Sequence, residues 1–178
     1  MTKGHLSSCI ETFCQSAQFP GETWHLQDDV VICRDFAERI KGAPAGVVCG
    51  FCVKEYENEM QCGTVQARYM WQSSFPCIKI PNEIAGEFVN WFISSAQYHE
   101  DLQKYVETGK KDDTLFFIFM LEKHYTDLVT NLTPHLVEHI DYLIGGSTIN
   151  QTRDIIARSC FWHDSEIIEE LQNKLAAR

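Results

Sequence analysis

Hydrophobic and polar positions follow two different patterns along this chain, and the change falls near residue 80. Before it, an amphipathic segment at His5–Ala17 predicts a helix, and short β-prone runs separated by turn residues predict strands. After it, apolar residues recur with the helical period. The chain is therefore predicted to form one α+β domain over 1–178, with a β-rich part over about 1–80 and a helical part over about 81–178.

The strands are predicted to form a small antiparallel β-meander. Gly46–Tyr56 and Met60–Trp71 are expected to pair as a hairpin, because both are rich in valine and aromatic residues and the segment between them is polar. Shorter elements are expected as strands at Thr23–Leu26, Val30–Cys33 and Cys77–Ile80, and as a helical turn at Asp35–Ile40.

The second half is predicted to contain four to five helices. Pro134 follows Thr133 at the first helical position, and Gly145 ends the same apolar pattern, so one helix is expected between them. The other helices are expected at Pro81–Gln97, Thr114–Thr130, Asn150–Phe161 and Ser165–Leu175, with a shorter helical segment at Glu100–Glu107.

Charge limits the partners that the protein can bind. The formal net charge is -10, with 25 acidic and 15 basic residues. Nucleic acid and anionic membranes are not expected as partners, because phosphate binding needs clustered lysine and arginine. The acidic balance suits a basic protein partner, or it serves only to keep the protein soluble. The longest apolar run, Leu115–Leu121, is far shorter than a bilayer span of about 20 residues. No secretion signal is recognised in residues 1–20, so a cytoplasmic location is expected.

The segment His135-Leu136-Val137-Glu138-His139 has a spacing that metal chemistry uses. On a helix, His135 and His139 would share one face and could bind zinc, and Glu138 could act as a base on a metal-bound water. This H-x-x-E-H order is found in the inverzincin metalloproteases. It predicts a zinc-dependent hydrolase as an alternative function, with Glu166, Glu169 or Glu170 as the third ligand.

The cysteines offer a second possible metal site. Four of the eight have the order C-x-x-C followed by two single cysteines, which could hold a structural zinc: Cys49, Cys52, Cys62 and Cys77. In a reducing compartment the cysteines are most simply buried thiols, whereas in an exported protein they would form disulfides. The sequence leaves these alternatives open.

Cys49-Gly50-Phe51-Cys52, followed by Phe75-Pro76-Cys77-Ile78-Lys79-Ile80-Pro81 and an amphipathic helix, slightly resembles the immunity proteins of type VI secretion. In this chain Lys79 and Ile80 are inserted before the proline, and that family lacks both residues. Its members are also mostly helical and carry a signal peptide. The resemblance implies an inhibitor-type function.

The function predicted first is that of a small, acidic, non-enzymatic binding protein of the immunity, inhibitor or host-modulating type. It is expected to neutralise a basic protein partner without a cofactor, and it could form a homodimer. Acidic clusters and one aromatic anchor at a helix junction are the expected contacts. They are Glu55, Glu57, Glu59, Trp162, Glu166, Glu169 and Glu170.

Overall fold

The computed structural model describes residues 5–28, 30–51, 63–66, 75–95, 112–125, 127, 129–133, 135–139 and 173. Its helices are α1 (His5–Ser16), α2 (Phe36–Lys41), α3 (Asn82–Ser94) and α4 (Asp112–Glu122). Its strands are β1 (Glu22–Leu26), β2 (Val30–Ile32), β3 (Val47–Cys49), β4 (Gly63–Gln66), β5 (Cys77–Pro81), β6 (Val129–Thr133) and β7 (Val137–His139). None of the helices in this part of the chain is long and apolar enough to span a membrane.

The strands form a mixed five-stranded sheet in the order β1-β5-β3-β6-β4, together with a β2-β7 pair. The combination of helices with a mixed sheet agrees with the predicted α+β class. The predicted meander is wrong, because β3 pairs in parallel with β6. The predicted hairpin is also wrong: β6 lies between β3 and β4. Long-range pairing has replaced the local pairing that a short polar connection favours.

One face of the sheet is covered by helices. Ile78 and Val47 point to this side and pack against Phe13 of α1, Phe88 of α3 and Phe116 of α4 in one buried cluster. Phe88 packs against the rings of Phe13 and Phe116, with centroids 5.7 Å and 5.2 Å away, and both pairs are edge-to-face. That geometry favours aromatic pairs beyond the gain from burial alone.

The other face is covered by a thinner layer. Val48 and Cys77 point to this side and pack with Cys33, Leu136 and Val137. The layer is tied to the sheet through Gly50, whose N–H donates to the carbonyl of Cys77 at 2.8 Å and whose carbonyl accepts from Leu136 at 2.7 Å. The segment between β6 and β7 therefore docks directly on the end of β3.

An ion pair between a buried lysine and a partly exposed glutamate lies between β1 and β5. Lys79 is 4% exposed, and its Nζ lies 2.6 Å from Oε2 of Glu22 and also donates to the carbonyl of Pro44. The N–H of Gly46 donates to the other oxygen of Glu22. Burial by itself raises the pKa of the Glu22 carboxyl, but the hydrogen bonds from Lys79 and Gly46 and the lysine charge bring this pKa below its ordinary value.

Two predictions for the second half are wrong. The helix predicted over Thr114–Thr130 ends at Glu122, and Val129–Thr133 is a strand. The helix predicted from Pro134 is replaced at Val137–His139 by strand β7, which pairs with β2. The helices predicted at 100–107, 150–161 and 165–175 lie outside the described residues, apart from residue 173.

The ion pair generates the first testable prediction. Glu22→Gln leaves the buried charge of Lys79 without its counter-ion and is expected to lower the free energy of unfolding by about 2–3 kcal/mol in urea denaturation. Adding Lys79→Met should restore most of this loss. The control is Glu38→Gln, whose partner Lys41 is 69% exposed, and it should change stability by less than about 0.5 kcal/mol. Equal losses for Glu22→Gln and Glu38→Gln would contradict the structural role of the Lys79–Glu22 pair.

Gly50 generates the second prediction. A Cβ at this position would lie 2.7 Å from Sγ of Cys77 and 2.9 Å from Cδ1 of Leu136, so Gly50→Ala is expected to destabilise the protein by about 1–3 kcal/mol. The matched control is Gly42→Ala, whose nearest neighbour would be 3.8 Å away, and it should change stability by no more than about 0.5 kcal/mol. Thermal unfolding of both variants measures the difference.

Candidate partner-binding surface

Acidic and aromatic side chains from α3 and from the end of α4 meet on one surface. Glu83, Glu87 and Trp91 are spaced four residues apart on α3 and therefore lie along one stripe. Glu122 and Tyr125 come from the end of α4 and the residues after it. We call these five residues the α3–α4 acidic face.

Two hydrogen bonds fix the carboxylates of this face. Nε1 of Trp91 donates to Oε2 of Glu122 at 2.7 Å, and the hydroxyl of Tyr125 donates to Oε2 of Glu87 at 2.9 Å. Trp91 is itself held by stacking on Phe88, with ring centroids 6.0 Å apart. A carboxylate can accept several hydrogen bonds, so both glutamates keep the capacity to accept from a partner.

The position of Tyr125 follows from how α4 ends. His124 adopts a left-handed conformation with φ 58°, and its N–H donates to the carbonyl of Leu121. The N–H of Tyr125 donates to the carbonyl of Met120, which completes the hydrogen-bond pattern of a Schellman motif. Glycine is the usual residue at this position, so the end of the helix was not visible in the sequence. The turn brings the Tyr125 hydroxyl to Glu87.

The face is strongly negative. It carries Glu83, Glu87 and Glu122, helices α3 and α4 contain no lysine or arginine, and Lys123 follows directly after α4. The negative charge affects Tyr125. The pKa of its hydroxyl is raised by the hydrogen bond to Glu87, by desolvation and by the charges of Glu87 and Glu83.

The residues predicted as partner contacts from the sequence lie outside the described part of the chain. They are Glu55, Glu57, Glu59, Trp162, Glu166, Glu169 and Glu170. The sequence interpretation missed the acidic face itself. The spacing of Glu83 and Glu87 was a signal that could have indicated it, whereas the contact between Trp91 and Glu122 required knowledge of how two helices pack.

The predicted histidine pair loses the helical geometry that motivated it. His135 precedes β7 and is 1% exposed, and its carbonyl accepts a hydrogen bond from Nη1 of Arg39 at 2.9 Å. His139 lies in β7, where its backbone is opposite Val30. An extended strand does not place residues four apart one above the other as a helix does. Zinc binding by His135 and His139 stays a prediction without this support.

The cysteines of the alternative zinc site are also separated. Cys49 lies opposite Ile78 in the β3–β5 register, so Cys77 points to the other face of the sheet. Accordingly, Cys49 packs in the helix-side cluster and Cys77 in the other. Cys52 and Cys62 lie outside the described residues, and a zinc site that uses all four cysteines remains a prediction. Within the described ranges, no three His, Cys, Asp or Glu side chains are grouped to hold a metal ion.

The described cysteines are buried or surface thiols rather than disulfides. Burial raises the pKa of Cys33 to about 11, an effect that outweighs the nearby charge of Arg39. Burial likewise raises the pKa of Cys77 well above its ordinary value. Both thiols are therefore protonated near neutral pH, which makes them poor nucleophiles.

Comparison with protein-family models, curated proteins and solved structures gave no match. The resemblance to type VI immunity proteins therefore stays a prediction.

The imidazoles of buried His135 and partly buried His25 give a prediction about pH. Burial lowers the pKa of His25 to about 4, and burial together with the charge of Arg39 lowers that of His135 to about 4, from an ordinary value of 6.5. Between these values, the unfolded chain binds more protons than the folded chain. The stability contributed by the neutral imidazoles is complete above pH 6.5 and is lost as the pH falls toward 4.

For His135 this loss is expected to reach about 3 kcal/mol. Urea denaturation from neutral pH to about pH 4 should show a steep decline for the wild type and a shallower one for His135→Phe. His25→Phe should reduce the slope as well, and the double variant should be the least sensitive. An unchanged slope in the double variant would show that other groups cause the acid sensitivity.

Proposed function

We propose that this protein is a non-enzymatic binding protein of the inhibitor or immunity class, which neutralises a basic protein partner through the α3–α4 acidic face. The observation that carries the proposal is the pair of carboxylates held by Trp91 and Tyr125. The net charge of -10 supports it as well.

Fixed carboxylates suit recognition of a basic protein. Glu87 and Glu122 are each oriented by a hydrogen bond from an aromatic side chain, so less conformational entropy is lost when they bind a lysine or an arginine. An arginine could reach the remaining acceptor positions of either carboxylate through its planar fork of donors. Glu83 adds charge that accelerates association without requiring a buried contact.

The aromatic residues have different roles in the proposed interface. Trp91 is 7% exposed and acts by positioning Glu122, whereas Tyr125 is only partly buried and can contact the partner directly. Tyrosine is common at binding hot spots, because it offers a large contact area at a small entropic cost.

The acids and the tryptophan predicted from the sequence remain proposed contributors to the same function. They are Glu55, Glu57, Glu59, Trp162, Glu166, Glu169 and Glu170. A homodimer also remains a proposal. A dimer that leaves the acidic face open would be compatible with binding of the basic partner.

The test compares two triple variants that remove the same charge. The first, Glu83→Gln, Glu87→Gln and Glu122→Gln, keeps acceptor oxygens for Trp91 and Tyr125. The control neutralises the exposed Glu11, Asp28 and Glu38 with Gln, Asn and Gln. Each variant loses three of the ten net negative charges, so both have a net charge of -7.

The partner is first captured from a cell extract with the wild type and then purified for kinetic measurements. The first variant should bind it about 10–30-fold more weakly, mainly through slower association, and the control should stay within about threefold of the wild type. Association should also slow as salt is added. Equal losses in both variants, or an enzymatic activity of the pure protein without any partner, would contradict the proposal.

A further inference from the structure

A pocket of about 380 Å³ lies between α1 and the end of β1, and its lining shares no residue with the acidic face. Its apolar side is formed by Phe13, Phe75 and Ile78. Ser8 and Thr12 on α1, with Asp28 after β1, are exposed and mark its mouth. This volume is within the range of small-molecule sites, which combine apolar walls with a few polar groups.

His25, which lines the pocket, carries a polar atom that the fold leaves unused. His25 lies opposite Ile78 in the β1–β5 register and therefore faces the helices, with its ring 4.7 Å from that of Phe13. Its Nε2 is buried and has no hydrogen-bond partner among the residues that the structure describes. Buried polar atoms nearly always have a partner, because leaving one unsatisfied is costly.

The charges around the pocket limit what it can hold. Asp28 is the acidic side chain at the mouth, and the described lining contains no lysine or arginine. An anionic ligand such as a phosphate would meet a carboxylate without any compensating cation. The rings of Phe13 and Phe75 instead favour a flat apolar body.

We propose that this pocket is a binding site for a small planar heterocycle, uncharged or singly cationic, whose ring packs against Phe13, Phe75 and Ile78 and whose ring nitrogen pairs with Nε2 of His25. Ser8 and Thr12 border the entrance. The hydroxyl of Thr12 already donates to the carbonyl of Ser8 at 2.8 Å, so it is available to the ligand as an acceptor. The site is independent of the acidic face and of the function proposed for it.

Three probes of similar size test this site on the full chain. Benzimidazole can both donate and accept through its ring nitrogens, indene has the same shape without polar atoms, and a benzimidazole carboxylate adds a negative charge. Binding is measured by NMR titration, which also reports whether the signals of Ser8 and His25 shift. Benzimidazole should bind about five- to tenfold more tightly than indene and than the carboxylate.

Two variants locate the site. His25→Phe should weaken benzimidazole about five- to tenfold and leave indene unchanged, because it removes the nitrogen and keeps an aromatic ring. Ser8→Phe should block all probes by filling the mouth. Gln15→Phe adds the same ring at an exposed position of α1 that does not line the pocket, and it should bind as the wild type does.

Several results would overturn the proposal. The wild type could fail to bind both benzimidazole and indene at millimolar concentration, or Ser8→Phe could bind them as tightly as Gln15→Phe does. Equal binding of the carboxylate would contradict the assigned charge class. An equal loss of benzimidazole and indene in a folded His25→Phe variant would contradict the role of the nitrogen.

Discussion

Strand β5 is buried on both faces. The rest of the fold depends on covering its apolar side chains on one face and compensating its buried charge on the other. Ile78 and Ile80 require an apolar cover, which the helices provide through their phenylalanine rings. Cys77 and Lys79 point the other way, and Lys79 cannot be buried there unless its charge is compensated. Glu22 on β1 and the carbonyl of Pro44 before β3 provide this compensation, so one charged side chain ties together the elements on both sides of β5.

The same strand positions the acidic face. Helix α3 begins at Asn82, directly after Pro81, so the direction in which the helix leaves the sheet is set by the end of β5. Asn82 is buried, donates to the carbonyl of Phe19 and accepts from the hydroxyl of Thr23. With its first residue held in this way, α3 turns Phe88 into the core and carries Glu83 and Glu87 away from the sheet. The positions of these carboxylates are a consequence of how the core is built.

Local signals in the sequence were sufficient for the elements that depend on local physics. The helical period identified α1 and α3, and β-prone runs bounded by turn residues identified β1, β2 and β5. The predictions were wrong where pairing with a distant segment determines the secondary structure. Thr133 and Pro134 carry a valid helix-start signal, yet Val137–His139 forms a strand because β2 provides a partner for its backbone. Propensity is a weak preference that tertiary pairing can override.

The candidate site likewise has one part that local residue spacing encodes and another that depends on tertiary packing. The stripe formed by Glu83, Glu87 and Trp91 can be read from residue spacing, because a helix fixes which residues share a face. The hydrogen bond from Trp91 to Glu122 joins residues 31 positions apart, and no local pattern encodes it. His25 was likewise an unremarkable residue in a short strand until the position of α1 beside it was known.

The parallel pairing of β3 with β6 also has a consequence for how the chain is made. Strands β1, β5 and β3 can assemble once residue 81 has been synthesised, but Val47 must wait for Val129, about 80 residues further along the chain. At about 5–20 residues per second on the ribosome, the edge of β3 stays uncovered for several seconds. Val47, Val48 and Cys49 are fully buried in the finished protein, so the nascent chain exposes an apolar strand edge of the kind that pairs with other chains. Protection of that edge by a chaperone would be most valuable during this interval.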